Sequence, residues 1–127
     1  MGIGEAIVRL FTKHGAKVII ADFADEAGKN LAEHLSPPAT YVHCDVSKEQ
    51  DIRAVVDLAM EKHSQLDVMY NNAGTVEEFV AVESVAEYEM EQFDRVMREN
   101  TRELMLCIKQ AARLTIPQKK GCIISTA

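Results

Sequence analysis

The sequence predicts an α/β fold built on a doubly wound, Rossmann-like parallel sheet. Apolar periodicity alternates between helical and strand-like from the first residues. The strand-like runs are short and continuous, as in strands covered on both faces, and the connections between them are long enough to hold a helix. The resulting order αβαβαβαβ implies parallel pairing with right-handed crossovers.

Ile3, Ala6, Ile7, Leu10 and Phe11 recur at helical spacing, and Gly15 follows where a left-handed helix stop belongs. Lys17–Ala21 is a β-branched run that ends in Asp22. A second helix is expected from about Asp25 to Leu35, because Ser36-Pro37-Pro38 cannot continue it. Thr40–Cys44 reads as a strand. Ser47-Lys48-Glu49-Gln50 fits a capping box, and Ile52, Val55, Val56 and Ala59 supply the apolar stripe of the helix behind it. Leu66–Tyr70 is the third strand. After Gly74 comes an acidic stretch without clear period, then a long helix over Met90–Thr115 that Pro117 and Lys119-Lys120-Gly121 should end. Cys122–Ser125 is the fourth strand.

With 127 residues and 47% hydrophobic content, the chain has material for one core, which excludes two domains and disordered, collagen-like or coiled-coil classes. Its net charge of -6 argues against a nucleic-acid surface. Between Glu77 and Glu103 stand nine acidic and three basic residues, which account for the whole imbalance, and the segment is expected to be a solvated surface. No apolar run approaches the roughly 20 residues needed to cross a bilayer, and the first residues lack a signal-peptide pattern, so no membrane partner and a cytoplasmic location are expected. Cys44, Cys107 and Cys122 are odd in number and widely spaced, supporting small buried hydrophobes over disulfides or a zinc site. Scattered His14, His34, His43 and His63 give no metal motif. Met60, Met69, Met90, Met97 and Met105 read mostly as core filler.

The chemistry-bearing residues fall at turns. Gly2-Ile3-Gly4 opens a helix, where glycines let backbone amides approach an anion and the helix N-terminus favours negative charge. Asp22 ends the next strand 18 residues after Gly4; in a Rossmann unit such an acid accepts from the ribose hydroxyls and repels a 2'-phosphate, favouring NAD over NADP. Asp45-Val46 follows another strand at its carboxyl end, where an Asp could accept from an adenine amino group or simply form an Asx turn. Tyr70-Asn71-Asn72-Ala73-Gly74 closes the third strand with two amides and two small residues, suited to tying loops together while the backbone nears a ligand.

Gly2-Ile3-Gly4, Asp22, Asp45-Val46 and Asn71-Asn72-Ala73-Gly74 resemble, in order and approximate spacing, the motifs of the short-chain dehydrogenase/reductase family. The resemblance runs over essentially the whole chain. Gly2–Ala6, His14–Asp22 and Gly121–Ala127 are similar in wording to the plant branch that contains secoisolariciresinol dehydrogenase and momilactone A synthase. The resemblance implies that Gly2, Ile3 and Gly4 meet the pyrophosphate, Asp22 selects NAD, and Asp45 and Val46 contact adenine. It further implies that Asn72, Ala73 and Gly74 line the nicotinamide-side ribose, and that Asn100 helps hold a proton-relay water as part of the catalytic apparatus.

The family's cofactor loop starts with a glycine preceded by a strand, and its catalytic serine and Tyr-x-x-x-Lys pair follow the Ser125-Thr126-Ala127 position. None of these lies within the 127 residues, and neither Tyr41 nor Tyr88 has Lys four residues on. The resemblance thus implies that residues 1–127 are a partial NAD(P)-binding Rossmann domain lacking the first strand and the C-terminal catalytic half, and incompetent in catalysis alone. The full form would oxidise a secondary alcohol or reduce a ketone by hydride transfer, as a homo-oligomer through the helix Met90–Thr115. The alternative is a non-catalytic protein that binds dinucleotide or pairs with related subunits.

Overall fold

The structure, a computed structural model, describes residues 2–74 and 85–126. Helix α1 (Ile3–Lys13) opens behind Gly2, whose φ of 101° favours glycine. It closes through Gly15 at φ 82°, whose amide bonds the Thr12 carbonyl while Ala16 bonds that of Phe11. The predicted glycine stop is realised in this way.

Strand β1 (Ile19–Asp22) and strand β2 (Thr40–His43) pair in parallel, with Ile19 opposite Thr40 and Asp22 opposite His43. Helix α2 (Asp25–Glu33) crosses between them and packs on both. Helix α3 (Glu49–His63) leads to strand β3 (Val68–Asn71), which pairs in parallel with strand β4 (Cys122–Ser125). Between those strands run helices α4 (Met90–Met97) and α5 (Glu103–Gln118), joined by a π-helical turn over Arg98–Arg102. Among the described residues, no rung of strand pairing joins the β1–β2 pair to the β3–β4 pair. Helices connect them instead: α3 packs on β1 and α5, and α5 packs on β3 and β4.

Two apolar clusters carry the packing. Ile20, Ala32 and Leu35 form one between β1 and α2, with Val8 of α1 and Tyr41 against it. Cys44, Ile52 and Cys107 form the other between α3 and α5. Ile52 and Val56 are each 1% exposed and Ala59 is buried, so the stripe expected on α3 does face the core.

Several expectations are corrected. On α1, Ile3 and Leu10 stay 63% and 56% exposed, because periodicity identifies a face without showing what covers it. The Ser47 capping box does not form: α3 starts at Glu49 behind Lys48, which makes no side-chain cap. The Ser47 hydroxyl donates to Asp45 instead, while Glu49 is drawn to Lys109 and Gln110 on α5. The long helix is broken by the π turn, and Pro117 lies inside α5, where only one late-helix amide is missing and Lys119, at φ 52°, closes the end. Met90, Met97 and Met105 are exposed and therefore not core. Cys122 is exposed, whereas Cys44 and Cys107 are buried. Glu103, at the end of the acidic segment, is buried, and part of that segment, with the stretch after Gly74, lies outside the described residues.

Candidate functional site

The carboxyl ends of β1, β2 and β3 carry Asp22, the Asp45-Val46 turn and Asn71–Gly74 respectively. Ligands of open parallel sheets bind at such ends. A Cβ placed on Gly4 would lie 3.0 Å from Nδ2 of Asn72, so the first turn of α1 meets the loop after β3 directly. A Cβ on Gly74 would likewise lie 3.0 Å from Oδ1 of Asn100. Contact therefore runs from Gly4 to Asn72 and, two residues on, from Gly74 to Asn100. Asn100 occupies the π turn, a distortion that recurs at functional positions of helices.

The end of β3 is anchored by side chains. Asn71 is buried; its Nδ2 donates to Ser125 Oγ at 3.2 Å, and its Oδ1 is buried without a partner. The Thr126 hydroxyl donates to the Asn71 carbonyl at 3.1 Å and lies 3.3 Å from Asn72 Oδ1. Sequence reasoning missed Thr126, although its place after β4 puts it beside the β3 end in a parallel pair.

Asp22 stands exposed at the end of β1. Its Oδ1 accepts the Ala24 amide at 2.9 Å, an Asx-type turn that orients the carboxylate. Its carbonyl accepts from the Cys44 amide and the Tyr41 hydroxyl. Asp45 takes the Asx-turn geometry too: Oδ1 accepts from the Ser47 amide and hydroxyl, and Oδ2 pairs with Lys48 at 3.0 Å. The Ser47 hydroxyl and Lys48 hold its carboxyl down at about 2. An adenine contact at Asp45 would have to be made beside these partners. Val46 is half-buried against the Cys44 cluster, and Ile3 and Ala73 are exposed at the rim.

The residues fit an extended dinucleotide in three respects. A helix N-terminus with a positive-φ glycine is ready for an anion, Gly4 and Gly74 sit where larger side chains would crowd Asn72 and Asn100, and an oriented carboxylate ends β1. Among the described residues, no three His, Cys, Asp or Glu side chains gather as a metal site, and no helix is long and apolar enough to cross a membrane.

Residues 1–127 match the family described as enoyl-(acyl carrier protein) reductase. Sex determination protein tasselseed-2 of Zea mays is 48% identical over 99% of this chain and 38% of its own length. Momilactone A synthase of Oryza sativa subsp. japonica is 46% identical over 99% of the chain and 46% of its own, and (+)-borneol dehydrogenase 2 of Salvia officinalis is 46% identical over 98% and 44%. The chain thus spans less than half the length of these curated relatives. A crystal structure of a short-chain type dehydrogenase/reductase from Mycobacterium marinum superposes with a TM-score of 0.87 at 27% identity, covering 99% of this chain and 51% of that one.

Proposed function

The chain belongs to the short-chain dehydrogenase/reductase family, and from that membership we propose that its carboxyl-end site is the dinucleotide half of an oxidoreductase. The whole protein would move hydride between NAD and a secondary alcohol or ketone, in the cytoplasm. The observation that carries this reading is the contact of Gly4 with Asn72, which joins the glycine turn of α1 to the loop after β3.

In this reading the amides at Gly2, Ile3 and Gly4 receive the pyrophosphate. Asp22 accepts from the adenosine ribose hydroxyls and disfavours a 2'-phosphate, so NAD is preferred to NADP. Asp45 and Val46 border adenine, Asn72 to Gly74 line the second ribose, and Asn100 holds a proton-relay water. The bound dinucleotide supplies the hydride acceptor or donor. Residues 1–127 contain no Tyr-x-x-x-Lys, so these residues alone would bind without turnover.

Backbone amide resonances of the chain titrated with NAD test this. Shifts concentrated at residues 2–4, 22–24 and 72–74 support it; shifts confined to other residues, or none in a folded sample, overturn it.

A second reading, subunit association, is favoured by the open groove of about 740 Å³ along α4, the π turn and α5, where Met97, Leu104, Met105 and Ile108 are flanked by Asp94, Arg98, Thr101 and Arg102. This face would hold the partner subunit of a homo-oligomer.

A further inference from the structure

Tyr41 and His43 lie two apart on β2 and so share one face of the strand. The first turn of α2 lies over that face. Asp25, in that turn, accepts the Tyr41 hydroxyl at 2.7 Å and pairs with His43 Nδ1 at 2.7 Å, both through the same carboxylate oxygen. The Tyr41 hydroxyl also lies 2.8 Å from the Asp22 carbonyl oxygen, so its single hydrogen is shared between strand end and helix start.

Those two acceptors bracket the turn that carries the Asp22 carboxylate. The chain leaves β1 at Asp22, turns through Phe23 and Ala24, and enters α2 at Asp25. Within the turn, among the described residues, the Ala24 amide on Asp22 Oδ1 sets the direction of the acid. An exposed Asx turn is soft; a hydroxyl bridging its two ends limits how far it can open.

We infer that Tyr41, with Asp25 and His43, is a positioning cluster that holds the β1–α2 turn so that Asp22 presents its carboxylate to the ribose hydroxyls of the dinucleotide. The inference rests on the assignment of Asp22 as the ribose-binding acid. One feature supports it beyond the distances. Gly28 leaves the space the tyrosine needs, since a Cβ there would lie 2.2 Å from Tyr41 Cε2.

A double-mutant cycle on NAD affinity separates positioning from general support. Tyr41→Phe should weaken NAD binding by about threefold to tenfold, the loss expected for one hydrogen bond, yet by less than about twofold when Asp22 is already Asn. His43→Ala should weaken NAD binding, and His43→Asn, which keeps a donor near the Nδ1 position, should restore it. Equal loss in both Asp22 backgrounds, or no loss in the native background, overturns the inference. If the folded native chain does not bind NAD, the assignment of Asp22 fails. The positioning claim is then decided without ligand by the backbone order parameter of Ala24, which Tyr41→Phe should lower from about 0.85 towards 0.6. An unchanged value overturns the claim.

Discussion

The ring of Tyr41 crosses the backbone of Gly28 so closely that any larger residue at 28 would drive its Cβ into the ring, and Gly28 is itself buried within α2. A helix-interior glycine would ordinarily be improved by alanine, by about 1 kcal/mol. Here the overlap outweighs that gain. Gly28→Ala should destabilise by up to about 2 kcal/mol net, the usual cost of overpacking less the propensity gain, read as a lower urea midpoint. A raised midpoint would show that Tyr41 swings away freely.

Glu103 gives a pH prediction of definite sign. Burial, aided by Glu99, raises its carboxyl above the ordinary value of 4.5. A raised carboxyl means that the folded state binds the proton more readily than the unfolded one, so ionised Glu103 opposes folding at neutral pH and ceases to do so as pH falls through the raised value. Glu103→Gln should raise the melting temperature at pH 7, and the difference should shrink towards pH 4. A lower melting temperature at pH 7 would contradict this.

Asp45 runs the other way. Its carboxyl is held at about 2 by the Ser47 hydroxyl, Lys48 and the Ser47 amide, against an ordinary 3.8. Its contribution is therefore present above about pH 4 and fades as pH falls towards 2. Asp45→Asn should flatten the acid limb of a stability-against-pH curve in that window. An unchanged limb would mean that its bonds to Ser47 and Lys48 add nothing in solution.

The three thiols should separate in a labelling experiment. Burial pushes Cys44 and Cys107 up to about 11, and both lie in the α3–α5 core, whereas Cys122 is exposed on β4. Because the thiolate is the reactive form, an aromatic disulfide reagent at pH 8 should modify one thiol per chain quickly and two slowly. Cys122→Ser should remove the fast phase; a fast phase that survives would place the reactive thiol elsewhere.

The sequence made some of this legible and left some of it hidden, for identifiable reasons. The run from Val18 to Ala21 marks a short strand, but only Ile20 of β1 is buried and Ala21 is exposed, so the cover expected on both faces is not found among the described residues; Ile52, Val56 and Ala59 mark the inner face of α3 by spacing alone. The π turn at Arg98–Arg102 was not visible: one extra residue in a helical turn shifts the apolar phase only locally, and the pattern on either side remains helical. Ser47 looked like a cap because its spacing to Gln50 is right, but the local Asx turn of Asp45 takes its hydroxyl, and the pull of α5 on Glu49 is a tertiary fact. The placement of Asp22 and Asn71 at strand ends was legible, since each closes a short run of strand-forming residues. Tyr41 and Gly28 were not, since their partnership exists only once α2 lies on β2.

The open face of α4 and α5 gives a concentration-dependent prediction. Met97 and Met105 line the groove along it, with Met105 60% exposed. If this face, whose lining also includes Asp94, Arg98, Thr101 and Arg102, meets a second subunit, sedimentation velocity should show association that Met105→Glu reduces by about tenfold or more, because the added charge would be desolvated on association. Association unaltered by the charge would move the interface elsewhere.

The central claim is that the carboxyl-end site takes NAD and that Asp22 sets this choice. Calorimetric titration of the chain and of its Asp22→Asn variant, each with NAD and with NADP, tests it most directly. The account predicts tighter binding of NAD than of NADP by the native chain, by about tenfold, the scale of one charge-assisted hydrogen bond, and a ratio near one in the variant. A folded native chain that binds neither dinucleotide, or the same ratio in both proteins, would contradict it.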